Sequence, residues 1–295
     1  MATRTSGPSR GVPAQDDART VALEGERRLA YAEYGRADGD PVVFFHGTPG
    51  SRRLASLFET TARERGVRLL AVDRPGYGRS DPWPAHSVAD AGAVVEAVLD
   101  DVGAATAGAV AFSGGAPYAL ATAATRPDRI DRVDIVAGAT PPDVGEETPA
   151  VQRLLGGLAR DAPSVLGGLF RGQAWLAERL DPSFVVGQYT ADGAGAVADD
   201  VAAVVVADFL EAFARHRSGA VREFRETTTD WGIDFEAIDA PVRFWHGDDD
   251  TNVPLSGVRQ FESRVPGAEL HVLKDADHLR TLLRSVPDVL AEQVR

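Results

Sequence analysis

Ser113 lies in the run Ala111-Phe112-Ser113-Gly114-Gly115, between a stretch that reads as a β-strand and one that reads as a helix. Small residues flank it two positions to either side. That composition suits a strained strand–turn–helix, in which bulkier neighbours would clash with the adjacent strand and helix and the serine is held in an unfavourable backbone conformation. A serine presented this way is a nucleophile once a base takes its proton. The pentapeptide alone is common by chance, and a helix-capping serine in an ordinary βα turn competes with it.

The acid and base that such a nucleophile needs both follow it in the chain. His246-Gly247-Asp248-Asp249-Asp250-Thr251-Asn252-Val253-Pro254 comes after a late apolar run. A carboxylate at the C-terminal end of a strand faces the crevice of an open α/β sheet. Three aspartates compete for the part, and at least one serves turn chemistry. A calcium loop is a poorer match, because the further ligand spacing and the terminal Glu are missing. His278, in Asp275-Ala276-Asp277-His278, follows the last strand-like run and can act as the base. The order Ser, Asp, His is the one this architecture uses. His46, His86, His216, His246 and His271 fit the part less well. The tetrahedral oxyanion needs N–H donors fixed in advance. Gly114, next after the serine, offers one, and Thr48, in the turn His46-Gly47-Thr48-Pro49-Gly50, offers the other.

These residues must be positioned by a scaffold. Strand-like runs at 28–34, 42–45, 69–72, 109–112 and 132–136 alternate with helical stretches at 54–64, 89–102 and 117–124. That alternation predicts βαβ units around a buried, mostly parallel sheet. Between about 141 and 230 no strand is evident, and 151–158, 165–180 and 197–215 read as helices, with breaks at Asp181-Pro182 and 191–195. Strands resume at 242–245 and 270–273, and a helix over 279–294, bent at Pro287, closes the chain.

With these motifs in hand, the sequence resembles the α/β-hydrolase superfamily. His46-Gly47-Thr48-Pro49-Gly50 is similar to its oxyanion turn. Asp73-Arg74-Pro75-Gly76-Tyr77-Gly78-Arg79-Ser80 is similar to its Asp-x-x-Gly-x-Gly-x-Ser loop, and Ser113-Gly114-Gly115 falls on its elbow. Gly247-Asp248-Asp249-Asp250 with Val253-Pro254 resembles its Gly-x-x-Asp-x-x-Val-Pro segment. The resemblance selects Asp250 as the acid and places His278 on the family's histidine. It implies an α/β-hydrolase fold, a mostly parallel doubly wound sheet with an inserted helical cap. The core spans 19–140 and 231–295, the cap 141–230, and 1–18 is a disordered tail. It implies a serine hydrolase, a carboxylesterase that acts on a small-molecule substrate through an acyl-enzyme without metal or cofactor. A proline iminopeptidase-like aminopeptidase, with Glu146, Glu147 or Glu211 holding the substrate ammonium, and a carbon–carbon bond hydrolase stand as alternatives. So does a non-catalytic ligand-binding protein on the same scaffold. Serine rather than aspartate at the elbow argues against haloalkane dehalogenases and epoxide hydrolases. His46, Phe112, Phe170 and Trp175 are candidate substrate contacts, with cap packing the competing role for the cap aromatics, Leu169 and Phe209 included.

Composition narrows the classes further. The chain has 295 residues, 44% of them apolar, which suffices for one large core. A formal net charge of -13 argues against a nucleic-acid-binding face. No apolar run approaches a membrane span. The first 17 residues are rich in Ser, Gly, Pro, Thr and Arg and lack a signal peptide's apolar stretch, so a cytoplasmic protein is expected. With no cysteine there can be no disulfide or thiolate site. Lys274 is the only lysine beside 30 arginines, and 28 aspartates exceed 16 glutamates. This bias suits either a GC-rich genome or a halophile, whose acidic surface is screened by molar salt. A halophilic chain would melt higher in molar KCl than in dilute buffer. The sequence sets no oligomeric state.

Overall fold

The central strands are apolar in every direction, so both faces of the sheet must be covered. β5 (Ala107–Phe112) is buried at every position, and β3 (Asp40–Phe45) and β4 (Val67–Val72) are buried over most of theirs. Along β3 the side chains alternate between two cores: Val42 and Phe44 join one, Val43 and Phe45 the other. The computed structural model describes residues 18–144, 150–191, 197–226 and 228–294. Among these, β1 (Arg19–Leu23), β2 (Arg27–Gly35), β6 (Ile130–Val136), β7 (Val242–Gly247) and β8 (Glu269–Leu273) complete an eight-stranded sheet in the order β1-β2-β4-β3-β5-β6-β7-β8. β2 runs antiparallel to both β1 and β4, and every other pairing is parallel.

One face of the sheet is packed by α1 (Glu59–Arg65) and α10 (His278–Glu292), through Ala62, Leu282 and Val286. The other is packed by α2 (Ala91–Val102), α3 (Ala116–Thr125) and α9 (Leu255–Glu262), through Val95, Leu120 and Phe261. Between β6 and β7 the chain leaves the sheet for the cap: α4 (Ala150–Asp161), α5 (Pro163–Ala177), α6 (Ser183–Val186), α7 (Asp199–Ala212) and α8 (Ser218–Glu226). Leu166, Phe170, Phe209 and Phe213 of the cap are continuous with the α1/α10 core.

The structure departs from the sequence expectation in places. The helix expected over 54–64 is a 3-10 helix, Arg52–Phe58, running into α1. Its first N–H groups are taken by carboxylates from elsewhere: Arg52 N–H by Asp73 at 2.7 Å and Leu54 N–H by Asp208 at 3.1 Å. The edge strand β1 is largely exposed and lacks the apolar alternation that betrays a strand. α8 buries Arg222 and Glu223, charged residues that no apolar period can flag. Pro287 lies inside α10. The expected tail falls outside the described residues except for Ala18, and so does most of the break expected at 191–195. No helix among the described residues is long and apolar enough to cross a membrane.

Candidate active site

Ser113 stands where β5 passes into α3. Its φ is +52°, the left-handed region that L-residues avoid, and it is the first residue of a 3-10 turn whose N-cap is Phe112, not Ser113. The capping role is thereby set aside, and the turn carries the strain the elbow composition anticipates. Ser113 is partly accessible, whereas Phe112 and Gly114 on either side are buried.

His278 begins α10, and its imidazole is buried. Asp277 caps that helix by accepting from Arg280 N–H at 2.8 Å, and it also accepts from Ala191 N–H of the cap at 3.2 Å. The His278 ring packs on Phe112, centroids 4.8 Å apart, and stacks on Tyr189 of the cap at 6.3 Å and 12°. So the histidine is wedged between the residue before Ser113 and a cap aromatic.

Of the three aspartates, only Asp250 is buried and reaches the histidine. Its Oδ2 lies 2.7 Å from His278 Nδ1, and its Oδ1 accepts from Asn252 N–H at 2.9 Å and Val253 N–H at 3.0 Å. Burial pushes this carboxyl up, but the His278 imidazole and its hydrogen bond outweigh burial and hold it below the ordinary aspartate value. Asp248 is exposed and accepts from Asp275 N–H, and Asp249 is exposed as well. Among the three, Asp250 alone has the burial and the contact with His278 that the acid's part would need.

The two expected oxyanion donors face each other. A Cβ on Gly114 would come within 2.2 Å of Thr48 Oγ1 and 3.2 Å of Thr48 N, so only glycine fits there. One on Gly47 would come within 3.5 Å of Ser113 Cβ, which brings the turn against the serine. The turn after β3 and the elbow after β5 meet because β3 and β5 are parallel neighbours and end together.

The four expected substrate contacts are placed differently. His46 is fully buried: its Nδ1 lies 2.7 Å from Gly47 O, and its Nε2 accepts from Arg74 N–H at 3.3 Å. Burial, with the Arg74 charge, drives its pKa far down, so it is a neutral scaffold side chain. Phe112 packs on His278. Phe170 is enclosed between Phe213 (5.2 Å) and Phe224 (5.7 Å), as cap core. Trp175 is 54% exposed, with the Arg179 guanidinium 4.3 Å from its ring centroid. Leu169 is likewise exposed, and Phe209 is buried in the cap. Glu211 is engaged by Arg52 at 2.6 Å and Arg53 at 3.4 Å, which removes it as a free ammonium receptor. Glu146 and Glu147 lie outside the described residues. Among the described residues no His/Cys/Asp/Glu cluster could hold a metal ion.

Sequence reasoning passed over four charged or polar side chains near this site. Arg74, inside the quoted Asp-x-x-Gly loop, forms a fully buried pair with Glu223 of α8. Tyr189 covers the imidazole. Asp208 of α7 accepts from Ser51 N–H and Oγ, just beyond the His46–Gly50 turn, at 2.8 and 2.7 Å. The signal for Arg74 was its place directly after a buried strand, in a loop of glycines. Glu223 and Asp208 sit in cap helices and Tyr189 in the turn after α6, where nothing in the spacing marks them.

Residues 40–282 match the family model described as alpha/beta hydrolase fold, and the chain belongs to that family. It is 28% identical over 256 residues to a 2-hydroxy-6-oxononadienedioate/2-hydroxy-6-oxononatrienedioate hydrolase of Cupriavidus pinatubonensis, covering 82% of this chain and 81% of that one. Its fold is similar to a carboxylesterase of Nitrososphaera gargenis (TM-score 0.69, 18% identity, covering 94% and 100% of the two chains). It is also similar to the enol-lactonase of Burkholderia xenovorans (TM-score 0.68, 21% identity, covering 93% and 98%). Fold and kinship support an enzyme of serine-hydrolase type.

Proposed function

We propose that the protein is a serine hydrolase that cleaves a carboxylic ester of a small substrate through an acyl-enzyme, with Ser113 as nucleophile. The observations that carry this reading are the left-handed Ser113, directly after a Phe112 whose ring lies 4.8 Å from the His278 ring, and the His278 Nδ1 held by Asp250 at 2.7 Å. His278 Nε2 takes the Ser113 proton as the hydroxyl attacks the ester carbonyl. Asp250 keeps Nδ1 protonated and stabilises the imidazolium. The N–H groups of Thr48 and Gly114 receive the oxyanion, His278 returns the proton to the leaving alcohol, and a water activated by the same imidazole releases the acid. The reading needs no metal or organic cofactor. Turnover of p-nitrophenyl acetate and butyrate, with Ser113→Ala alongside, tests it. The variant should be inert, and full activity in it would refute the assignment.

A second reading is favoured by the 28% identity to the dienedioate hydrolases: the bond cleaved is carbon–carbon, next to a ketone. A 2-hydroxy-6-oxo-dienoate offered beside the esters separates the two by relative kcat/KM. A fluorophosphonate probe separates either from a ligand-binding protein, which should leave Ser113 unlabelled.

A further inference from the structure

The peptide that carries the Thr48 N–H is pinned from its other end. Gly47–Thr48 is a trans peptide, so its C=O and N–H point in opposite directions. Gly47 O receives Arg74 Nη2 at 3.0 Å and lies 2.7 Å from His46 Nδ1, which is protonated because Nε2 accepts from Arg74 N–H. Fixing that carbonyl on the Arg74 side aims the Thr48 N–H away from it. Arg74 Nη1 also donates to His46 O. The guanidinium that does this is gripped as a fork by a carboxylate from the cap: Arg74 Nε to Glu223 Oε1 at 2.7 Å and Nη2 to Oε2 at 2.8 Å. Glu223 Oε2 accepts directly from Thr48 Oγ1 at 2.6 Å and from Tyr77 OH at 2.7 Å. The Thr48 hydroxyl therefore faces Glu223, and the residue's backbone N–H is what remains for substrate. α8 can bring Glu223 this close because Gly219 lies on Gly76. A Cβ on Gly76 would come within 2.7 Å of Gly219 N.

We infer that Glu223 is a positioning residue, supplied by the cap, that aims the Thr48 N–H of the oxyanion hole through Arg74 and through the Thr48 hydroxyl. The oxyanion turn belongs to the sheet domain by sequence, yet it is fully held only when α8 is docked on it. The inference rests on the hydrolase reading above. A purely structural ion pair is the competing account, and it differs in what it leaves intact: a folded variant would keep its transition-state binding.

The test compares the wild type with Glu223→Gln, which keeps the shape and loses the charge, and with Thr48→Val, which keeps the backbone and loses the hydroxyl that donates to Glu223 at 2.6 Å and accepts from Arg74 Nη2 at 3.3 Å. Each is measured for kcat and KM on p-nitrophenyl butyrate and for Ki of an alkyl trifluoromethyl ketone, whose serine adduct carries the oxyanion. Removing an oxyanion donor costs about 10²–10³ in rate, so a donor present but misdirected should cost about 10–10² in Glu223→Gln and about 10 in Thr48→Val. KM should move by less than about twofold, and ketone affinity should fall in step with kcat. Breaking a buried pair destabilises, so Thr48→Val decides alone if Glu223→Gln does not fold. Unchanged ketone affinity in the folded variants would overturn the inference and leave the hydrolase reading standing. A wild type inert to ester and unlabelled by fluorophosphonate would overturn the reading and the inference with it.

Discussion

His278 Nδ1 and Asp250 Oδ2 lie 2.7 Å apart in a buried contact, and Asp250's other oxygen is held by two backbone N–H groups. The carboxylate therefore cannot swing away from the imidazole without losing three hydrogen bonds. Asp250→Asn offers an amide where an acceptor is needed and favours the wrong tautomer. By analogy with the same change in a serine protease triad, kcat should fall about 10⁴-fold with KM little changed. Asp249→Asn, at an exposed position one residue earlier, should stay within about threefold of wild type. Steady-state kinetics on one ester checks both, and a loss at Asp249 equal to that at Asp250 would undo the assignment.

Gly114 is the second tight point. Gly114→Ala places a methyl 2.2 Å from Thr48 Oγ1 and 2.7 Å from Thr48 Cβ, so one of the two facing segments must retreat. The N–H groups of both residues are displaced together. A kcat loss of about 10²–10³ is expected, with fluorophosphonate labelling of Ser113 slowed as well. Wild-type kcat in the folded variant would show that the donors lie elsewhere.

Much of this site is legible in the sequence, because strand ends, glycines and the Ser–Asp–His order are local signals. The left-handed Ser113 follows from small neighbours between a strand and a helix. Thr48 and Gly114 as candidate donors follow from what an oxyanion would need. The choice among Asp248, Asp249 and Asp250 was not legible from chemistry, since all three are carboxylates on one loop. It depends on which one the β7 register turns inward. Glu223 was illegible for a different reason. Its burial is stabilised by Arg74, 149 residues away, and a charged residue in SGAVREFRE looks like a solvated face until the pairing is seen. The surroundings of Phe170 and Trp175 were not legible either, because aromatic character alone does not say whether a side chain faces a cavity, a core or solvent.

Those two cap aromatics give a stability contrast. Phe170 is 4% exposed and stacked on two phenylalanines, so Phe170→Ala should cost about 3–5 kcal/mol. Trp175→Ala, at a half-exposed surface position, should stay within about 0.5 kcal/mol. Urea or thermal melts measure both. Equal costs would mean that the cap packs otherwise than described.

Asp208 makes stability depend on pH in a direction opposite to that of most carboxylates. Burial pushes its pKa up to about 7, and the hydrogen bonds from Ser51 only partly oppose this. A folded-state pKa above the unfolded value means that the native protein binds the extra proton between about 4 and 7, so stability falls as pH rises through that window. The ceiling set by a move from 3.8 to about 7 is about 4 kcal/mol. His46, His86 and His246, held neutral by burial, work the other way, adding stability as pH rises toward their unfolded value. Glu223, held down to about 2 by Arg74 against its burial, acts only below about 4.5. The slope of the wild type is therefore a sum, and the useful quantity is its difference from Asp208→Asn. That amide keeps an oxygen for Ser51 N–H, Ser51 Oγ and Leu54 N–H but never ionises. The variant's advantage over the wild type should be small near pH 4 and reach its full size by pH 8. Melting curves at the two pH values measure this, and a variant-minus-wild-type difference that does not change with pH would mean that Asp208 titrates as an ordinary carboxylate.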